Sequence, residues 1–253
     1  MKKAINIILN IILISVFLFS SYKVFMYVKG GIDNKNLMSD IGVTISESKP
    51  TNEESPLDFT KNIMNNRKEA IKALKDQNSD VVGWIYIYDT KVDYPILKGK
   101  DNSYYLNHNV KKEYSSHGSI FMDYRNNTND LEGNNHNLVL YGHRMKNKQM
   151  FGSLDKFSDK EYFNSKYPIA IILNDKEYYF EAFASYVTSS DYNYIQTSFS
   201  NKEDFDNFIK KVCSKSHTLV DTDVSTINNI LTLSTCSYEF EDARLVVHAK
   251  LIK

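Results

Sequence analysis

Three residues could carry chemistry in this chain: His143 in NLVLYGH, Cys236 in ILTLSTC and Arg244 in RLVVHAKL. A thiol is a useful nucleophile only as the thiolate, so it needs a base or a positive neighbour. An imidazole titrates near neutral pH and can supply the base. A guanidinium keeps its charge at any pH near neutral and can donate to an oxygen that becomes anionic. The order His, Cys, Arg argues against a papain-like protease, in which the cysteine precedes the histidine.

Strands must bring these residues together. Side chains alternate along a strand, which puts Ile230, Thr232, Ser234 and Cys236 on one face and Leu231, Leu233 and Thr235 on the other. The leucines are expected in a core, leaving Ser234 and Cys236 to look out together. In the following run Leu245, Val247, Ala249 and Leu251 share one face and Arg244, Val246, His248 and Lys250 the other. If the two runs pair, the thiol and the guanidinium meet at neighbouring strand ends. A third apolar run, Leu138 to Tyr141, passes through Gly142 and delivers His143 at its end. His248 is the rival base, but four strand residues, roughly 13 Å, separate it from Arg244. It reads as a satisfied strand histidine.

The segments GSIFMDYRN (Gly118 to Asn126), NLVLYGHRMKNKQMFGSL (Asn137 to Leu154) and LTLSTCSYEFEDARLVVHAKL (Leu231 to Leu251), in that order, resemble the sortases, class B in particular. The resemblance runs from about Asp80 to the C-terminus. It implies a mainly β fold with helices: a closed β-barrel, an N-terminal helix and a helix inserted before the cysteine strand. It also implies that His143, Cys236 and Arg244 are catalytic and that no cofactor is needed. Ser234, Asn102, Leu106, Tyr194 and Ile195 match positions that contact substrate in such enzymes. Taken alone, Leu106 fits core burial, Tyr194 and Ile195 fit packing of the inserted helix, and Ser234 fits a solvent-facing strand serine. Ser237 follows the cysteine where some class B members carry an acidic residue, so substrate contacts there are expected to differ.

The activity so implied is cleavage of a C-terminal sorting signal after Thr, NPxTN-like or PxTG-like, through a thioacyl intermediate. A peptidoglycan amine, or that of a lipid-linked precursor, then accepts the surface protein. Two rivals remain. A cell-wall L,D-transpeptidase also uses His then Cys, but its cysteine normally follows Ser-x-Gly, and Ser234-Thr235-Cys236 has no glycine. An inactive membrane-tethered peptide-binding module would have no reason to keep all three of His143, Cys236 and Arg244.

The rest of the chain sets the context. With 253 residues, 42% hydrophobic, it can bury one sizeable core plus an extension. Lys and Arg together number 31, as do Asp and Glu, and no basic block argues for nucleic acid. Residues 1–28 read as a transmembrane anchor: Lys2 and Lys3 precede a long apolar run, and no small-x-small cleavage site closes it. The resemblance implies a single-pass protein of the cell membrane with its catalytic domain outside. Residues 29–55 read as a linker or stalk of low order and 56–253 as the catalytic domain.

Within that domain, Ser55-Pro56 signals a helix start, and Phe59, Ile63, Ala70, Ile71 and Leu74 make its apolar stripe, interrupted at Asn65 to Arg67. Trp84 reads as core, and Pro95 marks an edge or strand start. Met150 to Tyr167 reads as helical turns, and Asn174-Asp175 as the turn of a hairpin. Ser200 with Glu203 suggests a capping box before the helical face Phe205, Phe208, Ile209 and Val212. Cys213 ends that helix and reads as a small hydrophobe with a free thiol. A zinc set of Cys213, His217, Cys236 and His248 lacks paired-ligand spacing.

Overall fold

Runs of β-branched, aliphatic and aromatic residues separated by polar turns give this chain a single sheet, which curls until its fifth and sixth strands meet. The structure is a computed structural model that describes residues 2–40, 54–134, 136–216, 218–219, 223–236 and 242–252. Its strands are β1 (Val81–Ile87), β2 (Asp93–Leu97), β3 (Ile120–Met122), β4 (His136–Tyr141), β5 (Ile169–Leu173), β6 (Lys176–Ser189), β7 (Thr218–Leu219), β8 (Asn229–Cys236) and β9 (Ala243–Leu251). The helices are α1 (Lys2–Asp40), α2 (Pro56–Gln77), α3 (Lys160–Asn164) and α4 (Lys202–Lys215).

The strand order is β5-β1-β2-β3-β4-β8-β9-β6, and a further β5–β6 pairing closes the ring; β7 adds to β6 outside it. This is the closed barrel with an N-terminal helix and an inserted helix expected from the sequence. Most neighbours are antiparallel, whereas β2–β3 and β4–β8 are parallel. Closure removes the exposed edges that an open sheet would present.

Both sides of β8 and β9 are covered. Leu231, Leu233, Val247 and Ala249 enter the main core with Trp84, Leu138 and Leu140. Ile230 and Val246 join a second cluster with Phe205, Phe208, Ile209 and Val212 of α4. Ser234 is consequently buried rather than facing out freely, because α4 and the segment leading into it close over that face.

Local chemistry explains the helix ends and turns. Ser55 caps α2 by accepting from Asp58 N, with Pro56 in the first turn where its missing N–H costs nothing. Arg67, read as interrupting the stripe, is buried instead: its guanidinium pairs with Asp93, which also accepts from Trp84 Nε1 at 2.7 Å. At the β5–β6 hairpin Asn174 (φ 49°) and Asp175 (φ 63°) both take the left-handed conformation, as a two-residue primed turn requires. The cap of α4 is Asn201, which accepts from Asp204 N, one residue later than the Ser200 expected. Asn is as good a cap as Ser, so the pattern alone could not choose between them.

The N-terminal helix is long and apolar enough over Lys3–Asp33 to cross a membrane. It does not stop near Val28 but continues to Asp40, through the first part of the stretch read as a linker. Gly30 and Gly31 are poor helix formers, but here they let the helix approach the barrel domain. An added Cβ at Gly30 would sit 2.7 Å from His117 Nδ1. Tyr27 packs on the His117 ring with centroids 5.2 Å apart, and Ser116 Oγ donates to Met26 O at 3.3 Å.

Candidate active site

Two parallel strands and one antiparallel neighbour build the site. In the β4–β8 pair, Tyr141 stands beside Ser234, and Gly142 N donates to Ser234 O at 3.3 Å. His143 and Cys236 each follow two residues further along these adjacent chains, which run the same way. In the β8–β9 pair the last register partners are Cys236 and Arg244. All three sequence-predicted catalytic residues therefore belong to one end of three neighbouring strands.

Glycine and backbone contacts fix His143. A Cβ on Gly142 would come within 2.4 Å of Ile120 Cδ1, so the chain turns against β3 more closely than other residues allow. Phe151 N donates to His143 O at 3.0 Å, which ties down the loop that follows. The His143 ring is half-buried, and its Nε2 hydrogen-bonds to the carbonyl of Leu106. A carbonyl only accepts, so Nε2 carries a proton and Nδ1 is the nitrogen left to exchange one. Nearby, His117 is fully buried; that burial and then the neighbouring His143 hold it below the usual imidazole range.

Arg244 is half-buried and donates from Nη1 to Ala243 O at 3.1 Å. Ser237 and His217 lie outside the described residues. Cys213 is a free thiol at the end of α4, raised above the usual thiol range by burial, as suits a packing cysteine. His248, the rival base, is fully buried. Thr232 Oγ1 donates to Asn137 Oδ1 and accepts from His248 Nδ1 at 2.9 Å, while His248 Nε2 accepts from Tyr186 OH at 2.8 Å. With both nitrogens engaged, and burial pushing its pKa down to about 3, it is a structural imidazole.

The residues matched to substrate contacts fall into two groups. Tyr194 OH and Ser234 Oγ share a buried hydrogen bond of 2.9 Å, and Ile195 follows, half-buried against the second cluster. Leu106 is 41% exposed beside His143 instead of buried in the core, and Asn102 lies one turn before it. The sequence reading passed over Asp123, Arg125 and Tyr141, which connect these groups. The signal was present as an acid and a base two apart at the end of an apolar run, in IFMDYR.

Comparison with known proteins decides the lineage: the sortase domain family matches residues 85–252. The chain is also 35% identical to sortase B of Listeria monocytogenes over 246 residues, covering 96% of this chain and 95% of that one. This protein belongs to the sortases, in class B. Among solved structures, sortase B of Bacillus anthracis superposes with a TM-score of 0.70 at 39% identity, covering 89% of this chain and 99% of that chain. A substrate complex of Staphylococcus aureus sortase B matches with a TM-score of 0.66 at 34% identity, over 76% of this chain and 91% of that one. The sortase is a cysteine transpeptidase.

Proposed function

We infer that this sortase cleaves a C-terminal sorting signal, NPxTN-like or PxTG-like, after its Thr and transfers the acyl group to a peptidoglycan amine. The observation that carries the reading is the register pairing of Cys236 with Arg244, beside the parallel strand that leads, two residues on, to His143. Cys236 acts as the nucleophile on the threonine carbonyl. His143, tethered through Nε2, takes the thiol proton at Nδ1 and returns it to the departing amine. Arg244 donates to the oxyanion or holds the substrate backbone. The incoming amine then attacks the thioester with His143 as base, and the thiol is regenerated. Ser234, Tyr194, Ile195, Asn102 and Leu106 line the signal's path. The substrate complex known for the Staphylococcus aureus relative supports a peptide signal as ligand. The helix Lys3–Asp33 supports a membrane anchor, and the resemblance to class B sortases supports a catalytic domain outside the cell.

The test uses the detergent-solubilised full chain, peptides of both signal types and mass spectrometry. A covalent adduct on Cys236 ending at threonine, absent in Cys236→Ala, is expected. A reactive thiol that forms no adduct with any signal peptide would shift the reading to a wall-peptide transpeptidase or a binding module.

A further inference from the structure

Asp123 is fully buried just beyond the end of β3, and one carboxylate there gathers three side chains. It accepts from Asn102 Nδ2 at 3.0 Å, from Tyr141 OH at 2.8 Å, and from Arg125 through Nε at 2.8 Å and Nη2 at 2.7 Å. Burial works against its ionisation, but the hydrogen bonds from Arg125 and Tyr141 outweigh that and hold the carboxyl below its usual range.

Arg125 reaches further. Its Nη2 also donates to Ile195 O at 2.9 Å. The irregular segment around Ile195 is stitched to the barrel at four successive residues: Tyr194 OH to Ser234, Ile195 O to Arg125, Gln196 O to Asn137 Nδ2 at 2.9 Å, and Thr197 O to Asn137 N at 3.2 Å. Loop carbonyls of this kind normally bond to water, so spending them on strand residues fixes the loop. The other three ties come from β4 and β8, whereas Arg125 holds the segment from a partly exposed side chain, 37% accessible.

We propose that Asp123 and Arg125 are positioning residues of the substrate groove: the carboxylate holds Asn102 on one wall while Arg125 holds the Ile195 backbone on the other. The proposal rests on the groove assignment of Asn102, Tyr194 and Ile195 given above. Both ends of the Asn102 amide are anchored in this arrangement, because its Oδ1 accepts from Tyr124 N at 3.0 Å. It therefore shapes the wall in the free enzyme, and a peptide engages a groove whose width the Asp123–Arg125 pair has already set.

Steady-state kinetics of the full chain with a sorting-signal peptide test this, alongside the rate of Cys236 alkylation by iodoacetamide and the melting temperature. Arg125→Met is expected to raise KM about tenfold, a 1.4 kcal/mol equivalent, with kcat within about threefold and alkylation unchanged. Arg125→Lys, which keeps one donor and the charge, recovers part of the affinity. An unchanged KM in a folded Arg125→Met, or a fall in kcat and alkylation together at constant KM, overturns the proposal. If Arg125→Met does not fold, the cycle of Asn102→Ala with Arg125→Lys decides: non-additive effects on KM support it and additive effects overturn it. A wild-type enzyme that turns over no signal peptide fails the transpeptidase reading as well, and that failure is distinct from an active wild type with an insensitive Arg125→Met.

Discussion

Cys236 and Arg244 close the β8–β9 ladder as its terminal register partners, so the Arg244 backbone stands opposite that of Cys236 where the two strands part. The pairing is antiparallel. In the mechanism proposed above, a guanidinium suits that place, since its charge persists while the thiol and imidazole exchange a proton.

The planar fork of Arg244 is expected to matter more than its charge. Arg244→Lys should lower kcat for peptide transfer on the order of 10²-fold, the scale of losing one oxyanion donor. Near-normal turnover in that variant would reduce Arg244 to a structural role.

Gly118 has φ +55°, and an added Cβ would lie 2.5 Å from the Leu106 carbonyl that holds His143. Gly118→Ala is therefore expected to displace the histidine's partner and to lower kcat on the order of 10²-fold, the known scale for a shift of about 1 Å. Unchanged kcat would show that the tether to Leu106 is dispensable.

The hydrogen bond between Tyr194 and Ser234 is buried at both ends. Tyr194→Phe leaves the serine hydroxyl without that partner and should cost about 1–3 kcal/mol in urea unfolding. Replacing both, as Tyr194→Phe with Ser234→Ala, should cost less than the sum of the single changes.

Burial lowers the folded-state pKa of His248 to about 3, from an ordinary value of 6.5. Between those values the unfolded chain binds more protons than the folded one, so stability is full above about pH 6.5 and declines as pH falls. By linkage the loss at pH 5 is about 2 kcal/mol. Urea midpoints at pH 7.5 and pH 5 should differ less in His248→Gln than in the wild type; an equal difference would place the acid sensitivity elsewhere.

The Arg67–Asp93 pair ties α2 to the barrel with both side chains buried. Arg67→Ala strands the Asp93 charge and is expected to cost about 3–5 kcal/mol, read by denaturant unfolding. A change below about 1 kcal/mol would mean that the site behaves like an exposed ion pair.

Local rules made much of this architecture legible. Alternation marked the strands carrying Cys236 and Arg244, an apolar run marked the one leading to His143, and the Asn174-Asp175 turn and the stripe of α4 followed from residue type and spacing. Partnership across the fold did not. Arg67 reads as polar until Asp93 and Trp84 are found around it, and Asp123 reads as a loop acid until Asn102, Tyr141 and Arg125 converge on it. Ser234 looked solvent-facing because strand alternation does not show that a later helix will cover the second face. The continuation of α1 past Val28 was hidden for the same reason: Gly30 and Gly31 are poor helix formers whose value lies in what they pack against.

That helix also bears on how the enzyme would meet its substrates. With the anchor in the membrane as proposed, α1 crosses the surface without a break and rests against Ser116 and His117 within a few residues of the apolar run. The barrel would then ride on a strut rather than swing on a leash. Its reach would be a narrow band at constant height above the lipid, and encounters would be governed by lateral diffusion in two dimensions. Membrane-bound partners presenting a cleavage point at that height would meet it far more often than the same peptide free in solution.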